Sequence, residues 1–316
     1  MTELSLSSPW LIRFKAWVDQ RFALPNALLF FILYLTTALV ARHGGAVPAG
    51  LHWLDVLGCG VAWSFFLLLR VFDEHKDYAL DCQNHPDRVL QRGLISLTHL
   101  KWVGAASILL QVGFALASDA SLASFPGPAL LAWLAMFGWT CLMGKEFFVE
   151  EWLNRHLTWY AISHMLVMPL IVWWLAQMAQ PGTTFSLPLK VLMLLAFLSG
   201  FCFEITRKTK GPEEERDSIE SYSRIFGTRG SAVVVMALVT GMVLCQIGLL
   251  AVLTGDIALV PVWAGGILGV FWVLGIRQLM AFYKVPSLQG RERNEKAIAL
   301  TMLAGYAVVM AVILCG

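Results

Sequence analysis

Apolar residues run along this chain in long blocks rather than in alternating or one-sided patterns. Nine stretches, near 26–43, 51–72, 97–118, 126–144, 157–178, 187–204, 230–252, 257–276 and 297–315, hold few or no charges. A helix needs about 20 residues to cross a hydrocarbon core about 30 Å thick, so the pattern predicts nine membrane-spanning segments. Lipid offers backbone N–H and C=O groups no partners, and helices satisfy those groups internally. A spanning barrel would instead show alternating segments of about ten residues, and the chain has none.

The first 24 residues differ. Trp10, Leu11, Phe14, Trp17, Val18 and Phe22 recur at helical spacing, with Arg13, Lys15 and Arg21 between them. This predicts either an interfacial helix lying on the membrane surface or a plain lead-in to the first span. The polar lead is too long for a cleavable signal, and no small-x-small site follows.

Composition agrees with the pattern. Only 14% of residues are charged and 58% are hydrophobic, which leaves too little polar surface for a soluble domain of 316 residues. The net charge of +2 hides a strong asymmetry. With the N-terminus inside, cytoplasmic segments carry 21 of the 23 Lys and Arg; only Arg42 and Lys190 lie outside. The positive-inside rule therefore places the N-terminus in the cytoplasm and the C-terminus outside, in a cytoplasmic (inner) membrane. Six scattered cysteines without a C-x-x-C pair indicate neither a disulfide framework nor a structural zinc site.

Two cytoplasmic loops, 73–96 and 204–229, are long and chemically rich. Four spans separate them, which suggests a 4+4 pseudo-repeat with a ninth helix added, in a single polytopic domain over 1–316. A third loop, 277–296, is basic and amphipathic and is expected to lie against lipid head groups.

The first rich loop opens on Asp73, Glu74, Asp77 and Asp81. At about 100° per residue all four fall in one helical sector. Like charges about 6 Å apart repel by roughly 2–3 kcal/mol per pair at an effective dielectric near 20. Either water solvates this acidic helix end or a hard cation sits there, and Mg²⁺ suits carboxylates combined with substrate phosphates. Arg88 and Arg92 follow, just before Gly93, as donors for an anion. The second loop begins with Glu204, with Lys208 one turn later and Arg207 and Lys210 beside it. Two such clusters on the same membrane side can jointly hold a diphosphate through metal and cations.

With these motifs the chain resembles the UbiA superfamily of intramembrane prenyltransferases. That family carries N-D-x-x-D-x-x-x-D after its second helix, and Asp73-Glu74-x-x-Asp77-x-x-x-Asp81 matches it with two conservative changes. The family's R-P-x-x-x-G-x-I-S resembles Arg88-Val89-x-x-x-Gly93-x-Ile95-Ser96. Its second motif, D-x-x-x-D, falls on Glu204-x-x-x-Lys208, so an ammonium stands where the family has a carboxylate.

The resemblance implies an all-α bundle of nine transmembrane helices around a central cavity. It implies Mg²⁺ held by Asp73, Glu74, Asp77, Asp81 and Glu204, with diphosphate held by Arg88, Arg92, Arg207, Lys208 and Lys210. Asp77, Asp81 and Lys208 become the catalytic candidates, Asp77 foremost, as a metal ligand. The expected partners are a prenyl diphosphate, a lipophilic or aromatic acceptor and membrane lipids, with no nucleic acid. Lys208 contacts phosphate directly, or Glu213, Glu214, Glu215 or Asp217 supplies the missing ligand, or the second metal site is lost. His164 lies mid-span with Tyr160 and Ser163 nearby. It either contacts the acceptor or bonds a neighbouring helix. Trp63, Phe65, Phe66, Trp133, Phe137, Trp159 and Trp173 are packing residues or stabilise an allylic cation. Two rival activities remain: a terpene cyclase on the same scaffold, and a membrane transporter or lipid-binding protein.

Overall fold

The computed structural model describes residues 4–23, 27–45, 49–122, 124–216 and 220–315. Among them there is helix and no strand. In order the helices are α1 (Trp10–Arg21), α2 (Ala27–Arg42), α3 (Leu54–Lys76), α4 (Tyr78–Asn84), α5 (Leu97–Asp119), α6 (Pro128–Gly144) and α7 (Glu150–Arg155). There follow α8 (Leu157–Met165), α9 (Val167–Ala179), α10 (Leu187–Arg207), α11 (Tyr222–Thr254), α12 (Val262–Lys284) and α13 (Leu288–Cys315). Seven segments are long and apolar enough to cross a membrane: α3, α5, α8 with α9, α10, α11, α12 and α13. At the expected first and fourth spans stand α2 and α6, apolar helices of 16 and 17 residues. The chain is a multi-pass integral membrane protein.

Local chemistry sets the helix boundaries. Ser96 and His99 form a reciprocal capping box at the start of α5. Ser186 caps α10, and Gly255 ends α11 with the positive φ of 86° that suits glycine. Pro128 opens α6, where its missing N–H costs nothing. Pro169 breaks the fifth span. Its ring cannot donate to the Met165 carbonyl, and the helix interrupts at Leu166.

Neighbouring helices close a ring: α2 packs on α3, then α5, α6, α9, α10, α11, α12 and α13 follow in turn, and α13 returns to α2. The main core packs around Tyr34, Phe65, Trp174 and Leu249. Close approach of α2 and α3 depends on Gly58, where an added Cβ would sit 2.1 Å from the Tyr34 ring. Tyr34 is buried and donates to Asp55 at 3.2 Å, and Arg42 grips the same carboxylate at 2.8 Å through both terminal nitrogens. Gly58→Ala is therefore expected to overpack this contact and destabilise by about 1–3 kcal/mol, read as a lower melting temperature in detergent.

The N-terminal stripe divides between protein and surface. Trp17, at 0% exposure, packs with Val18 and Phe22 against Leu67 and Val71 of α3 and against Val89, Leu90, Leu94 and Ile95 of the following loop. Trp10 and Leu11 remain exposed. Arg13 donates to the Leu94 carbonyl at 2.9 Å, and the Val89 N–H donates to Gln20 at 2.9 Å. This docking fixes the first rich loop.

Candidate active site

Helix α3 continues to Lys76, the chain turns at Asp77 (φ −94°, ψ 3°), and α4 restarts at Tyr78. The four carboxylates consequently do not share one environment. Asp73 and Glu74 diverge by one helical step of about 100°, and here that step separates outside from inside. The Glu74 side chain is 0% exposed and accepts from Arg21 Nε at 2.5 Å. Arg21 also reaches Asp81 at 3.3 Å, and Arg88 holds the same Asp81 oxygen at 2.8 Å. Arg92 donates to the Leu4 carbonyl at 3.4 Å. Glu74, Asp81, Arg88 and Arg92 thus belong to the interface with the N-terminal segment. Asp73, with a 51% exposed side chain, meets Arg70 at 3.5 Å and lines a cavity, and Asp77 is exposed.

That cavity has a volume of about 530 Å³ and lies between α3, α6 and α8. Leu69, Phe72 and Met143 give it apolar walls; Asp73, Lys76, Lys145, Tyr160 and His164 bring polar groups. Among the described residues Phe72 and Tyr160 supply its benzenoid rings. The aromatic residues expected from sequence lie elsewhere. Phe65 packs on Trp174, Trp133 stacks on Phe137, and Trp173 meets Phe185. Trp63 meets Phe22, Phe66 stacks on Phe30, and Trp159 is exposed.

The second loop reaches the same place from the other half of the chain. Lys208 Nζ stands 4.9 Å from the centre of the Tyr160 ring, and Lys76 Nζ stands 5.8 Å from it. Arg207 and Asp73 interact through their charges. Glu204 is engaged twice, by Arg207 at 2.8 Å and by Lys208 at 3.0 Å. The Lys210 N–H donates to Ser223 at 2.8 Å.

The nearby acids considered as substitutes are committed elsewhere. The Leu288 N–H donates to Glu213, which holds that carboxyl below its usual range. Glu214 pairs with Arg291 at 2.7 Å, and Glu215 accepts from Ser221 at 2.8 Å. Asp217 lies outside the described residues.

Glu146, which follows α6, completes the site and was not among the residues expected from sequence. It is buried, pairs with Lys76, accepts from the Tyr160 hydroxyl at 3.4 Å and faces His164 at 3.3 Å. Glu146, Phe147 and Phe148 all have positive φ, 46°, 53° and 60°. Non-glycine residues held this way cost of order 1–3 kcal/mol each and cluster at functional sites. Phe147 is wedged against Trp139 and His164, with ring centres 5.2 and 5.8 Å away.

For a metal the geometry is selective. Glu204 is already saturated by cations, and among the described residues no three ligating side chains converge. Asp73 and Asp77 are the two carboxylates of the first motif that the N-terminal segment does not engage, and Mg²⁺ commonly needs only one or two carboxylates together with substrate phosphates.

No protein-family model matches the sequence, and neither does any curated protein. Solved structures do match its fold. One, described in work on digeranylgeranylglyceryl phosphate synthase in membranes, superposes with a TM-score of 0.63 at 17% identity, covering 96% of this chain and 100% of its own. A UbiA homolog from Aeropyrum pernix K1, in its apo form, gives 0.62 at 16% identity, covering 92% and 98%. This chain has the fold of those proteins.

Proposed function

We propose that this chain is an intramembrane prenyltransferase of the UbiA type, with its two rich loops on the cytoplasmic side. One observation carries the reading: Lys76 and Lys208, at the ends of α3 and α10 in separate halves of the chain, both approach the ring of Tyr160 beside a single cavity. The shared fold supports it. Arg207, Lys208 and Lys145 bind the diphosphate of a prenyl donor, and Leu69, Phe72 and Met143 face the start of its chain. Asp73 and Asp77 hold Mg²⁺, which when bound neutralises charge on the leaving diphosphate. The ring of Phe72, in the cavity wall, stabilises the allylic cation that remains. A lipophilic or aromatic acceptor then captures that cation.

The test is release of inorganic diphosphate from geranyl, farnesyl or geranylgeranyl diphosphate by the purified protein in nanodiscs. Release coupled to a prenylated acceptor supports the reading. The ammonium of Lys208, at the family's carboxylate position, favours a cyclase as the second reading; cyclic products formed without acceptor would select it. Lipid or ion flux with no diphosphate release would select a transporter.

The last two acids of the first motif should behave differently. Asp77→Asn is expected to lower metal-dependent diphosphate release by about 100-fold or more, with an unchanged melting temperature, because it removes charge from an exposed site. Asp81→Asn is expected mainly to lower the melting temperature, because it leaves Arg88 and Arg21 short of a partner.

A further inference from the structure

We infer that His164 is the base that takes the proton lost by the acceptor, with Glu146 as its positioning residue. The inference rests on the transfer reading and adds the step that reading leaves open. His164 Nδ1 lies 2.8 Å from the Tyr160 carbonyl oxygen. A carbonyl only accepts, so Nδ1 carries the hydrogen, and a neutral ring then has a bare lone pair on Nε2. That Nε2 lies 3.3 Å from Glu146 Oε2, which is also an acceptor. The two atoms are close but not aligned for a hydrogen bond, so the Nε2 lone pair is not spent on Glu146. Glu146 Oε2 meets no hydrogen-bond donor among the described residues, whereas Oε1 takes Lys76 and the Tyr160 hydroxyl.

The surroundings hold the ring in that orientation. Tyr160 stacks on it with centres 4.0 Å apart, and Phe147 meets it edge-on. The charged groups facing it are Glu146 from the left-handed turn, Lys76 from α3 and Lys208 from the end of α10. The two ammonium groups oppose a charged ring, while the carboxylate 3.3 Å away favours one. His164 lines the cavity; buried Glu146 lies off its wall.

The step balances. The allylic C–O bond of the donor breaks, and its electron pair leaves on the diphosphate. A carbon or oxygen of the acceptor gives an electron pair to the allylic carbon. The proton on that acceptor atom passes to Nε2, and the resulting imidazolium pairs with Glu146.

Nitrogen NMR of ¹⁵N-histidine-labelled protein in nanodiscs reads the tautomer directly, the His164 signals being those lost in His164→Gln. A neutral ring with hydrogen on Nδ1 is expected at pH 7. A neutral Nε2–H tautomer, or a ring already doubly protonated at that pH, overturns the assignment. The second measurement uses farnesyl diphosphate, Mg²⁺ and a panel of phenols and long-chain alcohols. In His164→Gln the ratio of transferred product to released diphosphate should fall about 100-fold or more. Transfer by the wild type should decline towards acid as Nε2 fills. In Glu146→Gln that decline should move to lower pH, because the imidazolium has lost its counter-charge. An unchanged ratio, an unmoved limb, or diphosphate release without transfer to any panel member overturns the base alone. Wild-type protein that releases no diphosphate sinks the transfer reading beneath it.

Discussion

Replacing Arg21 with methionine is expected to destabilise the protein by about 3–5 kcal/mol, the usual cost of leaving a buried charge without its partner. Arg21 is itself only 16% exposed and bridges two carboxylates, Glu74 at 0% and Asp81 at 14%. Removing it abandons a fully buried Glu74 carboxylate. Asp81 keeps Arg88, so the loss concentrates on Glu74. The double variant Arg21→Met with Glu74→Met should recover most of the lost stability, since buried ion pairs replaced by apolar groups are often neutral or better. Thermal melts of the wild type, both single variants and the double variant form a cycle that isolates the pair. A single variant that melts with the wild type would mean that α1 does not seal this face. The same melts separate structural acids of the motif from those left for chemistry.

The membrane character was legible because long apolar runs have few alternatives in lipid, and the segments fell near the expected positions. The break in the fifth span was written in Pro169 but passed over, because hydropathy registers the apolar ring and not the lost hydrogen bond. The carboxylate cluster shows a different limit. Helical periodicity puts Asp73 and Glu74 within a single wide sector, yet α1 packs against one side of that sector and the cavity opens on the other. Periodicity describes one helix and cannot say where its neighbours stand. Glu146 was harder still. It sits alone in Lys145-Glu146-Phe147-Phe148, and its role depends on a left-handed turn and on Lys76, 70 residues earlier. The available signal was positional: the segment following α6 emerges on the same expected side as the two rich loops.

Lys208→Asp is expected to lower the kcat/KM of diphosphate release by about 100-fold or more, without rescue by added Mg²⁺. The substitution changes the local charge by two, next to a ring that marks where the two loops meet. One charge about 4 Å from a phosphate oxygen is worth roughly 4 kcal/mol at an effective dielectric near 20. Each loss of about 1.4 kcal/mol of transition-state stabilisation costs tenfold in rate, so loss of that whole contact exceeds a hundredfold. A new carboxylate would restore the family's acidic pair in sequence only. Arg207 would still hold Glu204 at 2.8 Å, leaving the introduced carboxylate without a second free ligand one turn away. If added Mg²⁺ instead raises the variant above the wild type, position 208 is a vacated metal ligand and the ammonium is not a phosphate grip. Combining Lys208→Asp with Arg207→Gln sharpens the test, because it frees Glu204. Recovery with Mg²⁺ only in the double variant would show that two cations stand in for the metal a second carboxylate pair would have held.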